Sequence, residues 1–187
     1  ITGIVFFLFS GSSLYAQKTR NNDEFTSYPT VFLGLGTGFN DVGFLAAVFE
    51  VPFVNKFSFF GNAGLGGWGG KVGGGFSLYP QNMPYKSALS IGYSCAFGMT
   101  NFETTLSVEP EETQQSVLLD LYSEGTVDLM YSYHIRTGKV GKFVFNLGYS
   151  IPVTDQPWEV RTTGIELSPI SVTVLEVLQP GGLRLGI

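Results

Sequence analysis

Large apolar residues alternate with small or polar residues along most of the chain. In "SALSIGYSCAFG", residues 87–98, the odd positions from Leu89 to Phe97 are mostly large and apolar, whereas the even positions are Gly, Ala or Ser. A period of two predicts β-strands, whose successive side chains point to opposite faces. Eight segments share the pattern: residues 30–39, 43–51, 56–65, 71–79, 87–98, 126–136, 142–151 and 183–187. Most are near the roughly 9–11 residues that a tilted strand needs to cross a bilayer.

The distribution of side chains between the two faces indicates the class of β-protein. One face is almost entirely Leu, Val, Ile, Phe and Tyr, and the other is mostly Gly, Ala and Ser with isolated charges. Such small residues could not fill the core of a soluble sandwich, but they suit the narrow interior of a barrel whose outside faces lipid. We predict an all-β fold, an eight-stranded antiparallel, up-and-down transmembrane β-barrel. The alternative is a secreted, soluble, lipocalin-like β-barrel.

The connections between these segments alternate between short and long. "PFVN", "PQNMPY" and "TGKVG" are predicted periplasmic turns, and residues 99–125 and 152–181 are predicted long outer loops. This asymmetry is typical of outer-membrane barrels. Ser168 is followed by Pro169 and by an apolar stretch that ends at Pro180, which predicts a short helix in the last loop. Because this stretch contains β-branched residues, a short strand is the alternative.

The first sixteen residues form an uncharged apolar run. This run predicts a secretory signal peptide cut after Ala16, with a buried first strand as the alternative. Residues 17–27 are predicted to be a mobile polar lead, and residues 28–187 the barrel domain. Because the chain has neither an initiator Met nor a basic segment before the apolar run, we expect it to begin inside its gene.

Composition excludes several classes of function. The formal net charge of -5 offers no electrostatic attraction for nucleic acid. The single cysteine, Cys95, cannot form an internal disulfide and excludes a multi-cysteine metal site. We therefore predict no cofactor, no metal and no nucleic-acid partner.

The stretch "GLGGWGGKVGGG", residues 64–75, contains the spacing G-x-G-x-x-G that binds dinucleotide phosphates. That motif needs a following helix N-terminus, whereas an alternating strand follows here. Val72 also stands where a P-loop needs Ser or Thr. We predict instead a hairpin turn over residues 66–70 around Trp68. Nearby glycines are expected to leave room inside a crowded barrel: Gly64, Gly73 and Gly75.

Several segments resemble those of small outer-membrane β-barrel proteins of the Bacteroidota kind. They are the junction of Ala16 and Gln17, "FEVPF", "FGNAGLGGW", "LGYSIPV" and the terminal "LQPGGLRLGI". The architecture is similar to the eight-stranded membrane domain of OmpA. The resemblance implies a bacterial outer-membrane location, with membrane lipid as a partner, and no assigned activity. "LRLGI" stops midway through what should be the closing strand, so we expect the chain to be truncated there.

Charged residues on the small-residue face are candidates for an interior network. An unpaired charge in a narrow barrel is costly, so the default prediction is a salt-bridge network that fills the lumen. A narrow porin-like channel for small solutes is the alternative. The predicted members are Glu50, Lys56, Lys71, Asp128, His134, Arg136 and Arg184.

His134 and Ser132 share this face and resemble the Ser/His pair of an outer-membrane lipid A deacylase. However, no third residue is evident to orient the histidine, and the order is Ser-x-His rather than His-x-Ser. The pair also falls near the periplasmic end of its strand. We therefore predict a hydrogen-bonding role and no enzymatic activity.

The remaining candidate functional residues are carboxylates and aromatic residues. Glu109, Glu111 and Glu112 form an acidic cluster in an outer loop, near Asp120 and Glu124. Calcium or a basic partner is conceivable there, but the spacing matches no dedicated calcium loop, and a solvated run is the default. Predicted interfacial aromatics are Phe53, Tyr79, Tyr85, Tyr131, Tyr133 and Trp158. The function we expect is structural, with the outer loops contacting a surface or membrane-protein partner.

Overall fold

The structure, a computed structural model, describes residues 31–54, 56–80, 86–110, 113–137 and 141–187. The predicted signal peptide and the polar lead lie outside these residues. In chain order the elements are β1 (Phe32–Phe39), β2 (Gly43–Val54), β3 (Phe57–Gly66), β4 (Gly69–Leu78), β5 (Ser87–Ala96), β6 (Met99–Val108), β7 (Thr113–Leu121), β8 (Glu124–Thr137), β9 (Gly141–Pro152), β10 (Trp158–Val160), α1 (Pro169–Leu178) and β11 (Gly182–Gly186).

Eight of these strands close into a barrel in the order β1-β11-β9-β8-β5-β4-β3-β2, and every neighbouring pair is antiparallel. Each of the eight alternating segments forms one barrel strand. The predicted eight-stranded antiparallel β-barrel is therefore confirmed. The last pair, β1 with β11, is short, and reciprocal backbone hydrogen bonds between Thr37 and Ile187 extend it.

The side chains divide between the two faces of the barrel as the alternation predicts. The large apolar residues point outward and are exposed, for example Leu65 at 67%, Ile91 at 56% and Tyr149 at 57%. The inward face is small and buried, with Ala88 and Ser150 almost inaccessible. Period two therefore located the interior correctly along most of the strands, whereas Phe44, at the start of β2, has inward parity but is 75% exposed.

The glycine-rich stretch forms the β3–β4 hairpin, which turns at Gly67 and Trp68. The interior around it is crowded, as predicted. A Cβ atom on Gly75 would lie 2.2 Å from the carbonyl oxygen of Ile91, and one on Gly64 would lie 2.5 Å from the Cβ of Ala46. Only glycine allows the neighbouring strands to approach this closely.

The two long connections contain a second, three-stranded sheet in the order β10-β7-β6, which the alternation analysis missed. We call this sheet together with α1 the extension. Its core includes Val117 and Leu119, both 0% exposed, with Trp68 from the β3–β4 turn. The extension therefore packs on one end of the barrel, the end that carries the long connections, which we call the long-loop end.

The helix α1 begins where the sequence predicts it. Ser168 is the N-cap, and its hydroxyl oxygen accepts a hydrogen bond from the backbone N–H of Ser171 at 3.4 Å. Pro169 occupies the first turn, where a missing N–H costs nothing. The alternative of a short strand at this position is wrong. One face of α1 packs on β6 through Leu175.

Gly98 marks the point at which the β5–β8 hairpin leaves the barrel and continues as β6–β7. Its φ of 75° lies in the left-handed region, and its N–H donates to the carbonyl oxygen of Trp68 at 3.1 Å. A Cβ atom here would lie 2.1 Å from the carbonyl oxygen of Leu121. The change of direction therefore depends on a residue without a side chain.

We expect Gly98→Ala to lower the free energy of unfolding by about 3 kcal/mol, from left-handed strain plus displacement of backbone. Gly164→Ala is the matched control, because Gly164 has a similar φ of 77° but nothing within 4 Å of a Cβ atom. It should cost only about 1 kcal/mol. Urea unfolding of the folded protein measures both values, and equal losses would contradict the role of the Gly98 contact.

Candidate functional site

An ion-paired group centred on Arg184 occupies the barrel interior. Arg184 lies on β11 and is 1% exposed. Its Nη2 is 2.6 Å from Oδ1 of Asp41, and its Nη1 forms an ion pair with Oδ2 of Asp128. Asp41 belongs to the β1–β2 turn and Asp128 to β8. One guanidinium therefore joins three distant parts of the chain.

Hydroxyl groups complete the hydrogen bonding of Asp128. Ser150 donates to its Oδ1 at 2.7 Å, and Thr126 donates to the same oxygen at 2.9 Å. Arg184 Nη1 in turn donates to the Ser150 hydroxyl at 3.3 Å, and Ser94 and Thr126 share a further hydrogen bond of 2.8 Å. The carboxylate is thus held by a buried network rather than by a single contact, which is the condition for a stable interior charge.

Lys71 and the amide side chain of Asn146 extend this network. Lys71 is 7% exposed, and its Nζ donates to the carbonyl oxygen of Asn40 at 2.9 Å. Asn146 donates to Oδ2 of Asp41 at 2.9 Å and accepts from the Ser132 hydroxyl at 2.8 Å. We call Arg184, Lys71 and the two aspartates the Arg184 cluster. Its two cations balance its two carboxylates.

A second ion pair lies nearer the opposite end of the barrel, which carries the short turns. Nζ of Lys142 is 2.5 Å from Oε2 of Glu50, and both side chains are mostly buried. The other carboxylate oxygen of Glu50 accepts hydrogen bonds from the hydroxyls of Ser58, at 2.5 Å, and Tyr79. Lys142 also stands 4.1 Å from the ring centroid of Phe32, within cation–π range. This group is the Glu50 cluster.

A cavity of about 190 Å³ lies between the two clusters. Glu50 and Asp41 line it, as do apolar residues such as Phe60 and Met130. The imidazole of His134 also faces the cavity and packs edge-to-face on Tyr79, with 5.6 Å between ring centroids. The interior is therefore two charged layers with a small space between them.

The structure brings together most of the predicted interior residues and adds others. Glu50, Lys71, Asp128, His134 and Arg184 all lie inside the barrel. Lys56 does not join them, because it lies in the β2–β3 turn with an exposed side chain. The side chain of Arg136 lies outside the described part.

Sequence reasoning missed Asp41 and Lys142 as members of the network. Lys142 shares the inward parity of Val144 and Asn146, so the alternation already contained that signal. Asp41 lies in a turn, where a period of two carries no information about direction. Nothing in the local pattern indicated that it would reach Arg184.

Two of the predicted aromatic assignments are corrected. Tyr79 is 2% exposed and hydrogen-bonded inside the barrel, because it continues the inward positions of Lys71 and Ser77 one residue beyond β4. Trp158 is 9% exposed in the core of the extension. Phe53, Tyr131 and Tyr133 are exposed on the barrel, and Tyr85 lies outside the described residues.

The carboxylates of the long connections have separate structural partners. Asp120 forms an ion pair of 2.9 Å with Arg161, and Glu124, which is fully buried, accepts backbone hydrogen bonds from residues 153 and 154. Glu109 is exposed, whereas Glu111 and Glu112 lie outside the described residues. A hydrogen bond to the Glu159 carboxylate raises the pKa of the Tyr122 phenol.

Ser132 and His134 have different neighbours, the former hydrogen-bonded to Asn146 and the latter packed on Tyr79. Across the described ranges, no three His, Cys, Asp or Glu residues are grouped so that they could hold a metal ion. In the same residues no helix is long and apolar enough to cross a membrane.

The chain matches no known protein family, and searches of curated proteins and of solved structures found no similar protein.

We expect Arg184→Met to lower the free energy of unfolding by about 3–5 kcal/mol, because it removes the cation that pairs with both buried carboxylates and leaves Lys71 alone to balance them. Lys56→Met, which removes an exposed cation from a turn, should change it by less than about 0.5 kcal/mol. Neutralising one carboxylate as well, with Asp128→Asn, leaves Lys71 balanced by Asp41 and should restore part of the loss. Urea unfolding of the folded protein measures the series, and a loss for Arg184→Met as small as that for Lys56→Met would contradict the importance of the Arg184 cluster.

Proposed function

We propose that this protein is a bacterial outer-membrane β-barrel with a filled polar lumen, which holds the extension at the cell surface. Its role is structural or adhesive rather than enzymatic: the extension contacts a surface molecule or a neighbouring membrane protein. The resemblance of its segments to small outer-membrane barrels of the Bacteroidota kind agrees with this proposal. The exposed apolar exterior of the barrel is the observation that carries it.

The exterior argues for lipid as the solvent of the barrel. Soluble monomers rarely expose a contiguous apolar patch larger than a few hundred Å². Here exposed apolar side chains follow one another on the outward face of all eight strands, including Leu35, Leu45, Leu129, Leu147 and Leu183. The charges lie on the opposite face, inside the barrel. A soluble lipocalin-like barrel requires the reverse distribution.

The Arg184 cluster argues for a closed lumen. Arg184, Asp41 and Asp128 are each no more than 3% exposed, and their hydrogen bonds bridge β11, β8 and the β1–β2 turn across the interior. Eight strands enclose only enough space for side chains to fill. The second candidate function is a narrow channel for small solutes. The cavity of about 190 Å³ between the Arg184 cluster and the Glu50 cluster favours it.

The extension supplies the surface for contact. It has its own apolar core, and Trp68, whose indole donates to the carbonyl oxygen of Tyr122 at 3.0 Å, joins it to the barrel. A rigid domain on an embedded barrel presents a defined surface at lower entropic cost than a free loop.

We expect the protein to require detergent for extraction from membranes and to run faster on a gel when unheated than when boiled. Closed transmembrane barrels have no free sheet edge and resist unfolding until heated. A protein that partitions into the aqueous fraction without detergent would overturn the membrane proposal and favour the soluble alternative.

Measurement of conductance across a planar bilayer distinguishes the hypothesis of a closed barrel from that of a channel. We expect no reproducible open level for the unmodified protein, because the Arg184 cluster occupies the lumen. A stable open level that changes with Asp128→Asn would contradict the closed barrel and support a channel through the cluster. The exposed-turn variant Lys56→Met serves as the control for changes unrelated to the lumen.

A further inference from the structure

The helix α1 has an apolar stripe that nothing in the described part of the chain covers. Ile170, Val174, Val177 and Leu178 are 61, 43, 58 and 53% exposed. Successive members of this set are four, three and one residues apart. At 3.6 residues per turn, these spacings place all four side chains on one side of the helix. Leu175, which packs on β6, lies on another side.

Charge is segregated away from this stripe. Glu176 is the single charged residue of α1, and it lies about 200° around the helix from Val174 at the α-helical period. The stripe itself contains only Val, Leu and Ile. An apolar face that carries no charge, with the single charge of the helix turned away from it, suits a helix that lies at a membrane interface.

The C-terminal end of α1 reaches the rim of the barrel. Asn40, at the β1–β2 turn, donates a hydrogen bond to the carbonyl oxygen of Gly181. A Cβ atom on Gly181 would lie 3.2 Å from Cδ of Pro152, the last residue of β9. The chain then enters β11, whose Leu183 faces outward at 53% exposure.

Exposed apolar residues therefore continue from the barrel to the helix. Val153, just beyond β9, is 66% exposed, and Leu178 lies only three residues before Gly181. A second copy of the chain is the less suitable occupant, because a stable dimer buries roughly 800 Å² on each partner, more than four half-exposed side chains supply.

We infer that the α1 stripe is immersed in the membrane lipid at the long-loop end of the barrel, so that the helix lies along the interface. This inference rests on the proposed function, since it requires the barrel to span a membrane. The lipid then holds the extension at a defined angle to the membrane plane, because β6 packs on one side of α1 and lipid on the other.

Fluorescence quenching by lipid-borne nitroxides tests the inference. In a Cys95→Ser background, an environment-sensitive fluorophore is attached to Val174→Cys on the stripe or to Glu176→Cys on the charged side. Leu129→Cys, at the middle of β8 and 48% exposed, reports on the barrel itself. Each variant is reconstituted into vesicles and checked for the heat-dependent gel shift of the unmodified protein.

The label on Val174→Cys should shift its emission to the blue and lose intensity most to nitroxides near the headgroup, since interfacial helices lie about 5–10 Å into the boundary with the acyl chains. The label on Glu176→Cys should show neither effect. The label on Leu129→Cys should lose intensity most to nitroxides deep in the acyl chains. Val177→Cys is the second stripe variant and should match Val174→Cys.

Each contrary result has a separate meaning. If Leu129→Cys is quenched but both stripe positions behave like Glu176→Cys, the inference fails while the proposed function stands. If Leu129→Cys is not quenched, the proposed function fails. Disulfide cross-linking of Val174→Cys between two copies, without quenching, would overturn lipid as the occupant in favour of a second chain.

Discussion

The ion pairs of Arg184 with Asp41 and Asp128 are the interaction on which barrel closure depends. β11 is only five residues long and pairs with β1 through two residues in register. Backbone hydrogen bonds along such a short seam are few. The Arg184 side chain adds buried, charge-assisted contacts from the same strand to β8 and to the β1–β2 turn. Interior charge thus joins β11 to distant parts of the barrel through side chains as well as through backbone pairing.

The interior network follows from the size of the barrel. Eight strands leave space that side chains must fill, and glycines at the closest strand contacts make that space narrow. Charges that enter it lose hydration, so each needs a counter-ion and hydrogen-bond partners. The two clusters meet this requirement separately, one near each end. His134 and Tyr79 line the cavity between the two clusters.

The extension gives the barrel an asymmetric shape. Its core draws on both long connections and on the β3–β4 turn, so the barrel and the extension share residues such as Trp68. The turn at Gly98 lets one continuous hairpin serve both sheets. The exposed apolar exterior of the barrel strands is the basis for the proposed place of the protein at a membrane.

Several features could be read from the sequence because they are local. A period of two identified all eight barrel strands and their faces, and the Ser168-Pro169 pair predicted α1. The same period gives Lys142 inward parity, although Lys142 was not among the predicted interior residues. The same period was present in Val117, Leu119 and Leu121, but the charged and polar residues around them made the segment look like a loop. The period of two at these three positions is the signal that predicts β7.

The sequence by itself determined the strand period, the outward apolar face and the need to neutralise interior charge. Only the tertiary structure decided which charges meet. Arg184 and Asp41 are 143 residues apart and Glu50 and Lys142 are 92 apart, so their pairing depends on barrel closure and on strand register. Asp41 turns inward just beyond β1, where alternation no longer applies. Local periodicity sets which face a side chain occupies, but closure of the barrel selects its partner.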